Sequence, residues 1–149
     1  MQLGPFSKET PVFLAPMAGV TDLPMRQLAV RHGADVAVGE MMASDLSLSD
    51  SRKSMLRAQH SKEAGLRAIQ LVGNNPATLA AAARYNVQLG AEVIDINMGC
   101  PAKKVCKKAA GSALLGDPEL VKTLLTAVTG AVSVPVTLKI RTGVSPDQR

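Results

Sequence analysis

Tryptophan is absent, and Tyr85, Phe6 and Phe13 are the only other aromatic residues. That excludes the aromatic platform on which single-strand binders stack bases, so any contact with nucleic acid here rests on charge and shape. Cysteine is nearly absent too. Cys100 and Cys106, in a sequence without secretory features, exclude a disulfide framework, and no Cys/His spacing suits a metal. No apolar run approaches the roughly 18 residues of a membrane span. The opening "MQLGPFSKET" has neither the basic start nor the long apolar segment of a signal peptide. A cytoplasmic protein that avoids membranes is expected. Acidic residues are missing from Cys100 through Gly116, a stretch that carries Lys103, Lys104, Lys107 and Lys108.

What is present is the composition of a folded domain, 46% hydrophobic and 19% charged. Seventeen basic against 12 acidic residues give a formal +5, which favours an anionic partner such as RNA or a phosphorylated cofactor. Short β-rich runs at 12–17, 35–40, 67–73, 91–97 and 134–141 read as five strands. Helices read between them. One runs from about Asp22 to His32 and stops at Gly33. A second has Asn75 as cap, Pro76 as first residue, Leu79, Ala83 and Val87 as stripe, and Gly90 at its close. A third repeats the scheme from Asp117 and Pro118 through Leu124 and Val128 to Gly130. The polar connection 41–66 reads as loop with a short helix near 50–58.

Alternating strands and helices imply a parallel sheet of right-handed βαβ units, and "GADV" at 33–36 echoes "GAEV" at 90–93, each where a helix gives way to a strand. A complete (β/α)₈ barrel takes about 250 residues. The expected fold is therefore α/β: the N-terminal portion, about five βα units, of an incomplete TIM barrel. The ending "RTGVSPDQR" follows the fifth strand directly, which is the expectation for a fragment.

Side chains alternate faces along a strand. Ile69, Leu71, Ile94, Ile96, Val136, Leu138 and Ile140 then face the helices, while Gln70, Asp95, Asn97, Thr137 and Lys139 face the barrel interior. Gln70, Asn97 and Lys139 lie near the C-terminal ends of their strands, where barrel enzymes keep their active sites. The alternative is a set of interior polar groups that only satisfy one another; lysine weighs against it, being rarely buried without an acceptor. In "LAPMAGVTD" the first strand ends in Pro16, Ala18 and Gly19, which leaves room for a flat ligand against the main chain. An ordinary βα turn has the same appearance.

Cys100 sits between Gly99 and Pro101, three residues past inward-facing Asn97, so a chemical role is favoured over burial. Two chemistries are open. A thiolate nucleophile needs a base, and neither His32 nor His60 is placed to act as one; a thiol acid needs no activation, since a free thiol is mostly protonated at neutral pH. Cys106 reads as a small buried hydrophobe. The lysines beside Cys100 suit either solvent or a polyanionic substrate.

Together "APMAGVTD", "QLVG", "DINMGCPAKKV", "GSALL" and "LKIRTG" strongly resemble the bacterial tRNA-dihydrouridine synthases, in particular their B-type branch, over essentially the whole chain. The resemblance implies an FMN-dependent barrel that takes hydride from NADPH and reduces the uridine C5=C6 bond in tRNA. It implies that Pro16, Met17 and Ala18 face the flavin ring, that Gln70 hydrogen-bonds it, and that Lys139 sits by its N1/O2 edge. Asn97 would position the uracil, Cys100 would protonate C5, and Lys103, Lys104 and Arg141 would meet the tRNA. The last barrel strands and a helical tRNA-binding domain found in the family are not in these residues. A chain so divided is expected to be inactive or to associate through open sheet edges, as an edge-paired or swapped homodimer. Met25 stands where the family has an aromatic, and Cys106 follows "AKKV". Two rival readings remain: a dihydroorotate-dehydrogenase-like flavin barrel acting on a free pyrimidine, and a non-catalytic α/β fragment that binds RNA or protein.

Overall fold

The computed structural model describes residues 1–48 and 65–143. The short helix expected near 50–58 lies outside the described residues. The chain opens with a hairpin that the sequence did not announce: β1 (Gln2–Leu3) pairs antiparallel with β2 (Phe6–Ser7). Gly4, at φ +57, makes its turn.

A parallel sheet follows. Its path runs β3 (Phe13–Leu14), β4 (Val36–Val38), β6 (Leu66–Val72), β7 (Val93–Met98) and β8 (Val136–Ile140), while β5 (Met42–Ala43) pairs with the far end of β6. These are the five expected strands in sequence order, curled into a half-barrel with β3 and β8 outermost. The first strand is two residues long against the six expected. Pro11 and Pro16 flank it, and proline cannot donate to a ladder.

The helices begin where their caps predict. Asp22 Oδ1 accepts from Met25 N at 3.0 Å ahead of helix Leu23–Arg31, Asn75 Oδ1 accepts from Thr78 N at 3.1 Å ahead of Pro76–Gln88, and Asp117 Oδ1 accepts from Leu120 N at 3.0 Å ahead of Pro118–Thr129. Such caps stabilise a helix by about 1 kcal/mol each. Gly33 and Gly90 both take φ +100 just past a helix end, a conformation that other residues adopt only with strain.

Alternation along the strands separates two cores. Ile69, Leu71, Ile94 and Ile96 face outward and pack with Leu79, Ala83, Leu124 and Val128 of the helices; all are at most 1% exposed. Truncating one of these leucines or isoleucines to alanine costs about 2–5 kcal/mol. Inside the curl, Val36, Val38, Ala68 and Val93 form a second cluster at the N-terminal part of the sheet, closed by Leu3 and Phe6 of the hairpin. The hairpin thus plugs one end of the half-barrel. The other end, at the C-terminal tips of the strands, is left to polar residues.

Candidate active site

Strand register assembles the polar groups. Gln70, Asp95 and Thr137 are Cα partners across β6, β7 and β8, and Asn97 pairs with Lys139 one row nearer the strand tips. Parallel partners point to the same face, so both rows enter the interior. Gln70 Nε2 donates to Asp95 Oδ2 at 2.6 Å, Thr137 Oγ1 donates to Asp95 Oδ1 at 2.6 Å, and Asn97 Nδ2 donates to Gln70 Oε1 at 2.8 Å. Gln70, Asp95 and Asn97 are 1%, 5% and 7% exposed. Burial pushes the Asp95 carboxyl above its ordinary value, against the opposing pull of the Thr137 and Gln70 hydrogen bonds and the Lys139 charge.

The network continues into the cysteine loop. Asn97 Oδ1 accepts from the backbone N–H of Cys100 at 3.0 Å and of Gly99 at 3.3 Å. The Cys100 carbonyl accepts from Ser112 N at 3.0 Å and from Cys106 Sγ at 3.5 Å, and Arg141 Nε donates to Gly99 O at 2.6 Å. Gly111 makes this approach possible: a Cβ there would lie 2.6 Å from Cys100 O and 2.8 Å from Val105 Cγ1, at φ +64. Cys106 is half-buried and ties the loop to Ser112, with Sγ 3.5 Å from Ser112 Oγ.

The loop after β3 is braced as firmly. Met17 N donates to Thr21 Oγ1 at 2.9 Å, and Met17 O accepts from the backbone of Val20 and Thr21, each at 3.0 Å. Arg26, 2% exposed, donates from Nη1 to Thr21 O at 2.9 Å, and Glu40 Oε2 accepts from Gly19 N at 2.9 Å.

These elements enclose a recess of about 230 Å³ at the strand tips, lined by Pro16, Ala18, Met41, Gln70, Asn97, Gly99, Cys100, Pro101, Lys139 and Arg141. Seven of the ten residues singled out from the sequence meet there: Pro16, Ala18, Gln70, Asn97, Cys100, Lys139 and Arg141. Met17 does not line it; its side chain is 38% exposed, and its backbone N–H and C=O are both bonded within the Thr21 turn. Lys103 and Lys104 are exposed on the short helix Lys103–Cys106, outside the recess. Lys104 and Lys108 instead line a larger hollow of about 480 Å³, which shares Met41 with the recess. The smaller space collects Cys100, Lys139, Gln70 and Asn97. Lys139 is exposed at the open strand tip, not buried as strand parity predicts, and its ammonium makes no hydrogen bond or ion pair with any described residue; each amide nitrogen donates one of its two hydrogens within the network.

Asp95, Thr137, Thr21, Arg26 and Glu40 were not named as site residues from the sequence. A carboxylate inside the apolar strand "VIDIN" was a readable signal; buried Arg26, on an otherwise ordinary helix, was not.

A parallel half-barrel whose strand tips gather Gln70, Asn97, Lys139 and Cys100 around one recess has the architecture of part of a TIM-type barrel, with the recess at the end where such barrels carry their sites. Comparison with known proteins gives the family. The family Dihydrouridine synthase (Dus) matches residues 13–149, and the chain belongs to it. It is 58% identical to tRNA-dihydrouridine synthase B of Pseudomonas aeruginosa, 54% to that of Shewanella oneidensis and 52% to that of Escherichia coli, each over 149 residues. Those matches cover 100% of this chain but 45%, 46% and 46% of the relatives, so the chain spans somewhat under half their length. Among the described residues no helix is long and apolar enough to cross a membrane.

Proposed function

We propose that this chain carries the FMN-facing and proton-donating side of a tRNA-dihydrouridine synthase, which reduces the C5=C6 bond of uridine in cytoplasmic tRNA. One observation carries the reading: Gln70, Asn97, Lys139 and Cys100 border a single recess at the strand tips of a chain that belongs to the dihydrouridine synthase family. The donor set fits FMN, whose ring edge is rich in hydrogen-bond acceptors: Lys139, whose ammonium bonds no described residue, and the amides of Gln70 and Asn97 line the same space as uncharged Pro16 and Ala18. When bound, FMN supplies the hydride that uridine receives, having taken it from NADPH.

The chain's own residues do the rest. Lys139 stabilises negative charge at the cofactor edge, since no carboxylate among the described residues neutralises it by direct contact. Cys100 Sγ holds the proton that C5 of the uracil takes, and the Asn97 amide fixes the backbone that presents it. Arg141, anchored on Gly99 O, sets a positive charge beside the entrance for a tRNA phosphate. Lys103 and Lys104, exposed on the short helix outside the recess, extend that positive charge toward further phosphates.

Absorbance in the flavin bands of the purified chain, bleached by NADPH, tests the cofactor assignment. Cys100→Ala is expected to keep that bleaching and to slow uridine reduction at least about 100-fold, the low end of a general-acid contribution. An unchanged uridine-dependent step in single turnover refutes the acid role. A colourless chain that still shifts tRNA in a gel supports the non-catalytic binding reading instead.

A further inference from the structure

We infer that Asp95 is a positioning residue, whose carboxylate sets the direction of a hydrogen-bond relay through Gln70 and Asn97 that holds the Cys100 backbone at the recess. The relay has a single self-consistent polarity. At one end stands a carboxylate, which when ionised only accepts; at the other stand the backbone N–H groups of Gly99 and Cys100, which only donate. Between them lie two amides, each able in principle to turn end for end. With Gln70 Nε2 on Asp95 Oδ2 at 2.6 Å, Gln70 Oε1 must face Asn97 Nδ2, as it does at 2.8 Å. Asn97 Oδ1 is then free to accept from Cys100 N at 3.0 Å and Gly99 N at 3.3 Å. Turning Gln70 alone sets donor against donor or acceptor against acceptor at two contacts, and turning Asn97 alone does so at three. Thr137 Oγ1, donating to the other Asp95 oxygen at 2.6 Å, leaves the carboxylate no freedom to swing away.

Burial gives the relay its force. With Gln70, Asp95 and Asn97 between 1% and 7% exposed, no solvent competes for the lost partner if one member is removed. The catalytic consequence, a correctly held thiol, rests on the reading of Cys100 given above; the relay itself does not. Asp95 touches neither ligand nor thiol, and acts through two intermediaries.

Backbone amide exchange in the full chain, without flavin or tRNA, tests the relay independently of that reading. The reference is Ile94 N–H, which bonds Pro135 O at 3.0 Å in the same strand as Asp95. In Asp95→Asn the new side chain can still accept from Gln70 while donating to the Thr137 hydroxyl, so Cys100 N–H should exchange within about threefold of the parent. Asp95→Ala and Gln70→Met should each speed it at least about tenfold, with Ile94 unchanged. If Asp95→Ala also frees Ile94 by unfolding, Gln70→Met, of similar volume, decides the matter. Two results overturn the inference. Exchange as fast in Asp95→Asn as in Asp95→Ala means that charge, not acceptor polarity, was what mattered. Unaltered exchange in Gln70→Met means that Asn97 is held by its own turn and needs no relay.

Discussion

Gly111→Ala is the sharpest single perturbation of the Cys100 loop, and its effect can be worked out from two separable causes. The residue sits at φ +64, where a side chain costs roughly 1–2 kcal/mol of backbone strain. Its added Cβ would also meet Cys100 O at 2.6 Å and Val105 Cγ1 at 2.8 Å. The carbonyl is backbone and already bonded to Ser112 N at 3.0 Å, so it cannot swing aside freely. Forcing an extra methyl into such a site adds about 1–3 kcal/mol. Two controls isolate the terms. Gly19 has φ +78 with nothing within 4 Å of an added Cβ, so Gly19→Ala reports strain alone; at Gly116 there is open space and no positive φ, so Gly116→Ala should be neutral or slightly stabilising. At roughly 2–4 °C per kcal/mol for a chain of this size, Gly111→Ala should melt about 4–20 °C below the parent and at least about 2 °C below Gly19→Ala. Melting followed by circular dichroism measures this, and the rate of Cys100 alkylation by a maleimide should change in Gly111→Ala alone. Equal melting of the Gly111 and Gly19 variants would refute the claim that the glycine exists to let the loop close.

Hydrogen bonds from Arg67 hold the Glu92 carboxyl below its ordinary value of 4.5, so their stabilisation is present above that pH and lost as pH falls through the lowered value; Glu92→Gln should flatten this part of acid denaturation. Asp95 has the opposite sign. Its raised value means that folding loses stability as pH rises from 3.8 toward that value, so stability of Asp95→Asn relative to the parent should increase over that interval in urea titrations; a flat difference refutes the sign. Sedimentation across a hundredfold concentration range should reveal reversible association through the outer strands β3 and β8, where Phe13 and Ile140 are 43% and 54% exposed. A strictly monomeric, flavin-loaded chain contradicts it. Replacing Lys103 and Lys104 by alanine should weaken tRNA binding and lower its logarithmic salt slope by about one per lost phosphate contact, with flavin absorbance unchanged.

Much of this was legible because strand parity is a hard geometric rule. Once "RAIQLV" and "VIDIN" were read as strands, Ile69 and Ile94 had to face one way and Gln70 and Asn97 the other, and the helices packed as that demanded. The caps at Asn75 and Asp117 were equally plain, since each precedes a proline and meets the backbone three residues on. Parity gives a face and no partner. That Gln70 turns to Asp95 and Asn97 follows from register between strands 25 or more residues apart, which no local pattern encodes. It joins two readings the sequence kept separate, polar groups that satisfy one another and polar groups that line a site. The hairpin at Gln2–Ser7 was invisible because two-residue strands have no periodicity to detect. The resemblance through "APMAGVTD" places Met17 at the ring face, and local pattern gives no sign that Thr21 bonds its backbone. The lysines after Cys100 were read as one cluster, whereas the short helix turns Lys104 to the neighbouring hollow and leaves Lys103 facing solvent.

The hairpin plug has a temporal consequence. Gly4 sits so close to Pro135 that a Cβ would lie 2.6 Å from its ring Cγ, so the hairpin rests against a segment some 130 residues later in the chain. At roughly 5–20 residues per second, about six to twenty-six seconds separate synthesis of the stopper from synthesis of the seat it needs. Leu3 and Phe6 meet Val36, Val38, Ala68 and Val93 only as those strands emerge, and the contact between Gly4 and Pro135 is the last of the plug's contacts to form.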